Sequence, residues 1–516
     1  MSISDHGLRD GLPIRDWYAS EDRPKPIRDR FAKLAALRDL GVEPYAYSYD
    51  PSHTLAEAHD AFDEQEPVGV RVAGRMLSFR DMGKSAFAHL GDQSGRLQVY
   101  CKRDRMDEAE WRVLELLDLG DWVGVDGPLF RTRTGEITVQ VERLTLLSKT
   151  LRPLPLGKTE VLDDGSEIVH SGFADVAMRY RQRYADLAVH PDVRDVFAAR
   201  ARIIRALRQL LDDQGYLEVE TPILQPIYGG AFARPFTTHH NTLDQTMYLR
   251  IADELYLKRL IVGNLDRVYE VGKVFRNEGL DRTHNPEFTM LELYRAYADY
   301  EDMMTTAEQL VGAAAAAVPA ETVVEWNGRS IDLSAPWARI TFYDAIRQFA
   351  GVESVSATVE ELRQALPEDL DGLEDMDRSS LLDELFSSRV EPNLVNPTIV
   401  FDYPIEMSPL AKPKRGAPEL AERFEVIVGG TELVNAFSEL NDPVDQWERF
   451  AAQARARQEG DLEGQALDVD YVRALEYGLP PTGGLGIGID RLVMLLTGQS
   501  AIRDVLLYPV LRDVDE

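Results

Sequence analysis

Between residues 68 and 147 the chain is written in a period of two. Short runs rich in valine, leucine, threonine and aromatic residues occupy 68–77, 85–90, 97–101, 122–130 and 136–147, and glycine-containing turns separate most of them. Such alternation puts every second side chain on one face of a sheet, so each run predicts a strand. The one helical stretch in the segment, 107–119, lies between the third and fourth runs. Five strands with one helix in that place is the order of an OB-fold, a β-barrel whose strand face binds oligonucleotides. A small barrel used only for packing would carry the same pattern.

Charge bears on that choice. The 516 residues include 88 acidic and 57 basic side chains, a formal net charge of −31. A surface of this kind repels nucleic acid at long range unless a basic region is set apart. Residues 67–150 carry 13 basic and 12 acidic side chains, a near-neutral island where an RNA would land. Only 10 of the basic residues are lysines, and acidity with so little lysine suits solubility at high ionic strength. Cys101 is the single cysteine, so an intramolecular disulfide and a cysteine-based zinc site are both excluded, and it reads as a small buried hydrophobe. No apolar run approaches the roughly 18 residues of a membrane span, and the first residues lack a signal peptide. The expected location is the cytoplasm.

Around the barrel the organisation is coarser. Residues 1–26 read as a polar tail. Residues 27–66 read as N-terminal helices, the first with Ile27, Phe31, Leu34, Leu37 and Leu40 at helical spacing before Gly41. Residues 67–150 form the barrel and 151–176 a linker, stiff through Pro153 and Pro155 and then a polar loop around Asp163-Asp164-Gly165. From 177 to 516 strands and helices mix without regular βαβ alternation. That predicts an α+β domain on a mainly antiparallel sheet. A long helix over 193–213 carries Phe197, Ile204, Leu207 and Leu211 on one face, and a strand follows at 216–221. Residues 353–385, acidic and helical, read as an insertion over the sheet.

Three segments carry chemistry. Phe275-Arg276-Asn277-Glu278 ends a strand, and the next strand places Phe288, Met290, Glu292 and Tyr294 on one face. A carboxylate on a buried face costs several kcal/mol without a cation, so taken alone this strand presents that face to solvent. The second segment holds Glu425 and Glu432, oxygen ligands suited to Mg²⁺, and then Asn435, Phe437 and Glu439 sharing a face. The third, Gly484-Leu485-Gly486-Ile487-Gly488-Ile489-Asp490-Arg491, has Gly-x-Gly-x-Gly spacing and no βαβ unit after it, so it is not a dinucleotide loop. Its glycines let a strand lie close against a ligand, with Arg491 at the helix start facing phosphate.

Together these segments resemble the signature motifs of the class II aminoacyl-tRNA synthetases. Residues 215–222 look like the first motif, 275–278 with Phe288 the second, and 484–491 the third. The wording of 275–300, 437–442 and 479–509 is closest to the lysyl-tRNA synthetases, of subclass IIb. The likeness runs from about residue 27 to the C-terminus and weakens in the tail, near 157–172 and in 353–385.

The resemblance implies a six-stranded antiparallel catalytic sheet behind an anticodon-binding OB-fold. It also implies a homodimer with 193–222 at the interface, and tRNA(Lys), ATP, L-lysine and Mg²⁺ as partners. In that family the lysine carboxylate attacks the α-phosphate of ATP, releasing pyrophosphate, and the lysyl group is then passed to the terminal adenosine of the tRNA. Arg276 would bridge the lysine carboxylate and the α-phosphate, and Arg491 would hold the γ-phosphate. Glu278, His284 and Asn285 would line the ATP, Phe288 would stack on adenine, and Glu425 and Glu432 would hold Mg²⁺. Glu292, Tyr294 and Glu439 would meet the ε-ammonium, with Phe437 along the methylene stem. Gly230 and Glu254 would take the α-amino group, Asn435 would help with the carboxylate, and Gly486 completes the set. On the barrel Phe87 would stack an anticodon base and Gln98 would read a base edge, with Arg75 and Glu136 as further candidates. An aspartate- or asparagine-specific relative would place a basic or amide-reading group where Glu292 and Glu439 stand. A protein-modifying relative would lack the barrel. A non-catalytic RNA-binding descendant would have lost one of Arg276, Glu425, Glu432 or Arg491.

Overall fold

Alternation in the first half of the chain closes a barrel. The structure, a computed structural model, describes residues 8–9, 12–161, 167–170, 172–318, 322–367, 370, 372–458 and 467–512. The chain divides into two units, Met1–Val189 and His190–Glu516.

In the first unit the barrel strands are Gly69–Asp81, Ser85–Gly91, Arg96–Lys102, Trp122–Arg131, Ile137–Gln140 and Arg143–Ser148. Val70, Val72, Leu90, Val99, Val125 and Val139 point inward and are buried. Gly69–Asp81 pairs with both Ser85–Gly91 and Trp122–Arg131, which closes the barrel. The run 136–147 forms two strands, because it changes partners at Val141 and Glu142. Its first half pairs in parallel with Arg96–Lys102, and its second half pairs with Trp122–Arg131 alone. Gly127 sits under that corner, where a Cβ would come within 1.8 Å of the Gln140 carbonyl oxygen. The helix Glu108–Leu116 is capped by the Asp107 carboxylate and turns Trp111, Val113 and Leu114 into the barrel core. Cys101 is buried there, and burial pushes its thiol up to about 12.

Residues 14–19, placed by sequence in a polar tail, form a helix, Ile14–Ala19. Trp17 on it is buried, with the Arg23 guanidinium 3.8 Å above its ring, and Tyr18 stacks on Phe31 of the helix Lys25–Asp39. A single turn carrying two aromatic anchors is too short to show periodicity. The strands Lys158–Val161 and Glu167–His170 pair as a hairpin inside the predicted loop, whose 162–166 portion lies outside the described residues.

In the second unit six antiparallel strands run in the order Arg267–Phe275, Glu287–Ala296, Thr482–Gly488, Thr431–Ser438, Ala417–Val428 and Thr398–Pro404. Short parallel strands, Leu217–Glu218 and Ala338–Thr341, extend the two edges. One face of the sheet packs Leu291, Leu293, Val434, Ala436, Leu485 and Ile487 against the helices Pro191–Asp213, Tyr300–Ala316 and Ile489–Thr497. On Pro191–Asp213 the buried row is Ala199, Ile203, Leu207 and Leu211, one residue every helical turn. Ile204 and Phe197 flank that row half-buried. The insertion forms its own core, with Leu362, Leu381, Leu382 and Phe386 packed on Val400, Tyr403 and Ile427 of the sheet. The opposite face of the central strands carries the cavity.

Candidate active site

Strand periodicity builds this cavity. Leu291 and Leu293 turn to the core, so Met290, Glu292 and Tyr294 turn the other way and line a cavity of about 400 Å³. That face is buried, with Glu292 at 5 % exposure and Tyr294 at 3 %, so the solvent-facing expectation for this strand alone does not hold. Glycines from a distant part of the chain make the burial possible. In the sheet register Glu292 lies opposite Gly486 and Tyr294 opposite Gly484. A Cβ on Gly484 would fall 1.9 Å from Glu439 Oε1 and 2.6 Å from the Tyr294 ring. The glycines thus clear room for side chains of the pocket wall.

The same cavity is lined by Gly230, Glu254, Arg276, Glu278, His284, Asn285, Phe288, Glu425, Glu432, Asn435, Phe437, Glu439, Gly486 and Arg491. At one end the groups are cationic and aromatic. The Arg276 guanidinium stands 5.2 Å from the Phe288 ring centroid, and its Nε donates to the Ile251 carbonyl at 3.4 Å. Arg491 follows directly on the glycine strand, at the start of Ile489–Thr497. Its Nη1 donates to the Glu432 carbonyl at 2.7 Å, and its Nη2 lies 3.4 Å from His284 Nε2. His284 is held through Nδ1 by Asp281 at 2.7 Å. Burial would raise the Asp281 carboxyl, but hydrogen bonds from His284 and Thr283 outweigh it and hold it down at about 2. The buried Asn285 amide donates to the Glu287 carbonyl at 2.6 Å, and among the described residues its Oδ1 has no partner.

Beside them is a cluster of carboxylates. Burial pushes Glu425 up to about 7, with Arg423 opposing and Glu432 adding to the rise. Glu391 nearby is pushed up to about 8, first by burial and then by Glu425 and Glu432. Glu425 accepts from the Arg423 guanidinium at 2.5 Å and from the Tyr403 hydroxyl at 2.8 Å. Groups that repel each other in this way favour a divalent cation held by two carboxylates and completed by phosphate oxygens. Among the described residues no three acidic, histidine or cysteine side chains converge as a metal site of their own.

The other end is acidic and aromatic. Glu254, Glu292 and Glu439 meet Tyr294 and Phe437 there. The Tyr294 hydroxyl donates to Glu292 at 3.1 Å. Burial, then the neighbouring Asp253, push Glu292 well above the usual carboxylate range, and burial pushes Asp253 up to about 6. Such a pocket is short of positive charge.

Sequence reasoning gave no role to Arg423 or Asp253. Arg423 lines the cavity and bonds to Glu425, Asn435 and the Met407 carbonyl. Its alternation with Glu425 along Ala417–Val428 was the available signal.

On the barrel, the expected anticodon residues fall on the outer strand face. Phe87 lies opposite Tyr100 in the register, with ring centroids 4.5 Å apart, and Tyr100 is 6.1 Å from Phe130. Gln98 lies opposite His89. Glu136 accepts from Gln98 at 2.7 Å and is 2.8 Å from His89 Nε2. Gln98, Glu136 and His89 line a shallow pocket with His59 and Arg131. Arg75 is engaged with the Trp122 ring, 4.7 Å from its centroid, and with the Gly120 carbonyl. Tyr100 and His89 were missed, although they alternate with Gln98 and Phe87 on their strands.

Comparison with known proteins bears on both units. Residues 175–512 match the family described as tRNA synthetases class II (D, K and N), and residues 70–147 match the OB-fold nucleic acid binding domain. The chain is similar to the lysine–tRNA ligase of Moorella thermoacetica, 50 % identical over 489 residues, which cover 94 % of this chain and 98 % of that one. It is equally similar, at 50 % identity over 497 residues, to the lysine–tRNA ligase of Pelotomaculum thermopropionicum, covering 95 % of this chain and 96 % of that one. The lysine–tRNA ligase of Carboxydothermus hydrogenoformans is 48 % identical over 491 residues, with coverage of 95 % and 98 %.

Proposed function

The chain belongs to the class II tRNA synthetases and is an aminoacyl-tRNA ligase with an OB-fold domain; from that premise we propose that it activates L-lysine with ATP and esterifies it to tRNA(Lys). One observation carries the choice of amino acid: Glu254, Glu292 and Glu439 converge with Tyr294 and Phe437 in the cavity that also holds Arg276 and Arg491. A pocket walled by carboxylates and aromatic rings attracts an ammonium on a flexible stem and repels an acidic side chain. The names of the similar ligases support the same choice.

The first step needs no strong base, because the attacking carboxylate is already an anion. The demand is alignment and neutralisation of phosphate charge. Arg276 serves both, since its planar fork reaches the lysine carboxylate and the α-phosphate together. Phe288, under the Arg276 guanidinium, offers the adenine a stacking surface, and Glu278, His284 and Asn285 surround the nucleotide. Arg491 takes the γ-phosphate. Glu425 and Glu432 would hold Mg²⁺, which when bound neutralises the phosphates. Lysine enters with its ε-ammonium toward Glu439, Glu292 and Tyr294, and with its α-amino group toward Glu254 and Gly230. The 3′-hydroxyl of the tRNA's terminal adenosine then takes the lysyl group and AMP leaves.

The barrel face reads the anticodon. Phe87→Ala is expected to raise the KM for tRNA(Lys) about 5- to 150-fold, a stacking loss of about 1–3 kcal/mol, and to leave lysine-dependent pyrophosphate exchange unchanged. Aminoacylation and exchange kinetics on the same preparation check this, and an unchanged tRNA KM removes Phe87 from the reading. The working unit is a homodimer through 193–222, where the exposed Leu217, with the exposed Ile223, Leu224 and Ile227 just beyond it, offers an apolar surface. Among the described residues no helix is long and apolar enough to cross a membrane.

The deciding experiment is pyrophosphate exchange with ATP and Mg²⁺ over all twenty amino acids, at low and at molar KCl. Exchange with lysine alone is expected. Exchange with a different amino acid overturns the pocket assignment, and no exchange from folded protein overturns the catalytic reading.

A further inference from the structure

Behind the acidic end of the cavity stands a lysine of the chain itself. Lys258 lies one helical turn after Glu254 on Glu254–Val262, and its side chain is fully buried. Its Nζ is 2.5 Å from Glu254 Oε1 and forms an ion pair with Glu439 Oε2. It also stands 5.3 Å from the Phe437 ring centroid and 5.9 Å from that of Tyr294. All four of these residues line the cavity, whereas Lys258 lies behind them. Among the described residues Glu439 Oε1, the oxygen packed over Gly484, has no hydrogen-bond partner.

We propose that Lys258 is a positioning residue for the amino acid: its ammonium ties Glu254 to Glu439 from behind the wall, so that the α-amino and ε-ammonium subsites are built as one unit. The proposal rests on the lysine reading above. Lys258 engages Glu254 through Oε1 and Glu439 through Oε2, which leaves Glu439 Oε1 for the substrate. Without Lys258 the two glutamates would be buried like charges with nothing holding them apart at a fixed distance. The charge balance agrees. Burial raises both carboxyls, and Lys258 is the first group that opposes the rise in each. Burial alone would depress Lys258, yet Glu254 and Glu439 more than reverse this and keep it an ammonium. The other groups facing this knot are Tyr471 from Val469–Glu476, Tyr294 and Glu292 from Glu287–Ala296, the latter repelling Glu254, and Arg423 from Ala417–Val428, whose charge acts on Glu254.

The test compares wild type, Lys258→Met and Lys258→Arg in lysine-dependent pyrophosphate exchange, with folding followed by circular dichroism. For Lys258→Met the lysine KM is expected to rise at least about tenfold, while the ATP KM stays within twofold. The acid limb of kcat/KM for lysine should move to higher pH, because the charge that opposes the rise of Glu254 and Glu439 is gone. Lys258→Arg keeps the charge but alters the spacing. It should raise the lysine KM with the acid limb in place, and it decides the matter if the methionine variant does not fold. A lysine KM within twofold of wild type in a folded variant, or equal losses for lysine and ATP, overturns the proposal. Failure of the wild type itself to exchange with lysine would instead overturn the lysine reading.

Discussion

Replacing Arg276 with lysine is expected to lower lysine-dependent pyrophosphate exchange by roughly 10²–10³-fold, the usual cost of losing one charge-stabilising donor at a reacting centre. The charge would survive this substitution; the fork would not. Arg276 follows the last residue of Arg267–Phe275, and its backbone N–H donates to the Pro286 carbonyl at 2.9 Å, so the Cα is fixed by the sheet. From there the guanidinium bonds to Ile251 and lies over Phe288. A single ammonium can hold the lysine carboxylate or the α-phosphate, but it cannot hold both in plane while stacking on a ring. The loss should appear in the rate of adenylate formation under single-turnover conditions. Circular dichroism and the melting temperature should stay near wild type, because Arg276 is not part of the apolar core. A variant keeping more than a tenth of the exchange rate would remove Arg276 from the bridging role.

The parts of this molecule that could be read from sequence are those where neighbours along the chain decide the outcome. The barrel strands and the strand from Phe288 to Tyr294 follow from local period, and the structure places them within a few residues of expectation. The burial of Glu292 was not readable. The strand shows a carboxylate and a phenol on one face, and in isolation such a face belongs in water. What buries it comes from far away in sequence: Gly484 and Gly486 on the paired strand, and Glu439 beyond the next. The helix Ile14–Ala19 escaped for the opposite reason, since its order comes from Trp17 under Arg23 and Tyr18 on Phe31, and its own six residues carry no period. Arg423 is an intermediate case. Its face on the strand was legible, but its work depends on Asn435 opposite Glu425 in the register.

Glu439→Gln should show how much of the amino-acid choice rests on charge. The side chain is fully buried, lines the cavity and has Lys258 as its ion-pair partner. The amide keeps the size and removes the charge. Truncating one partner of a buried charge pair costs about 2–5 kcal/mol, which corresponds to a loss of roughly 30- to several-thousand-fold in kcat/KM for lysine. Most of the loss should fall on the lysine KM, since Glu439 meets the ε-ammonium equally before and during the reaction. The ATP KM should stay near wild type, because the phosphate groups are handled by Arg276, Arg491 and the Glu425 cluster. Some stability should go with it: the variant leaves Lys258 with Glu254 alone, so a lower melting temperature is expected, restored in part by saturating lysine. Exchange kinetics and melting curves with and without lysine check both consequences. If the variant keeps a lysine KM within threefold of wild type, the ε-ammonium does not sit against Glu439, and the acidic end of the cavity has to be assigned to the α-amino group instead.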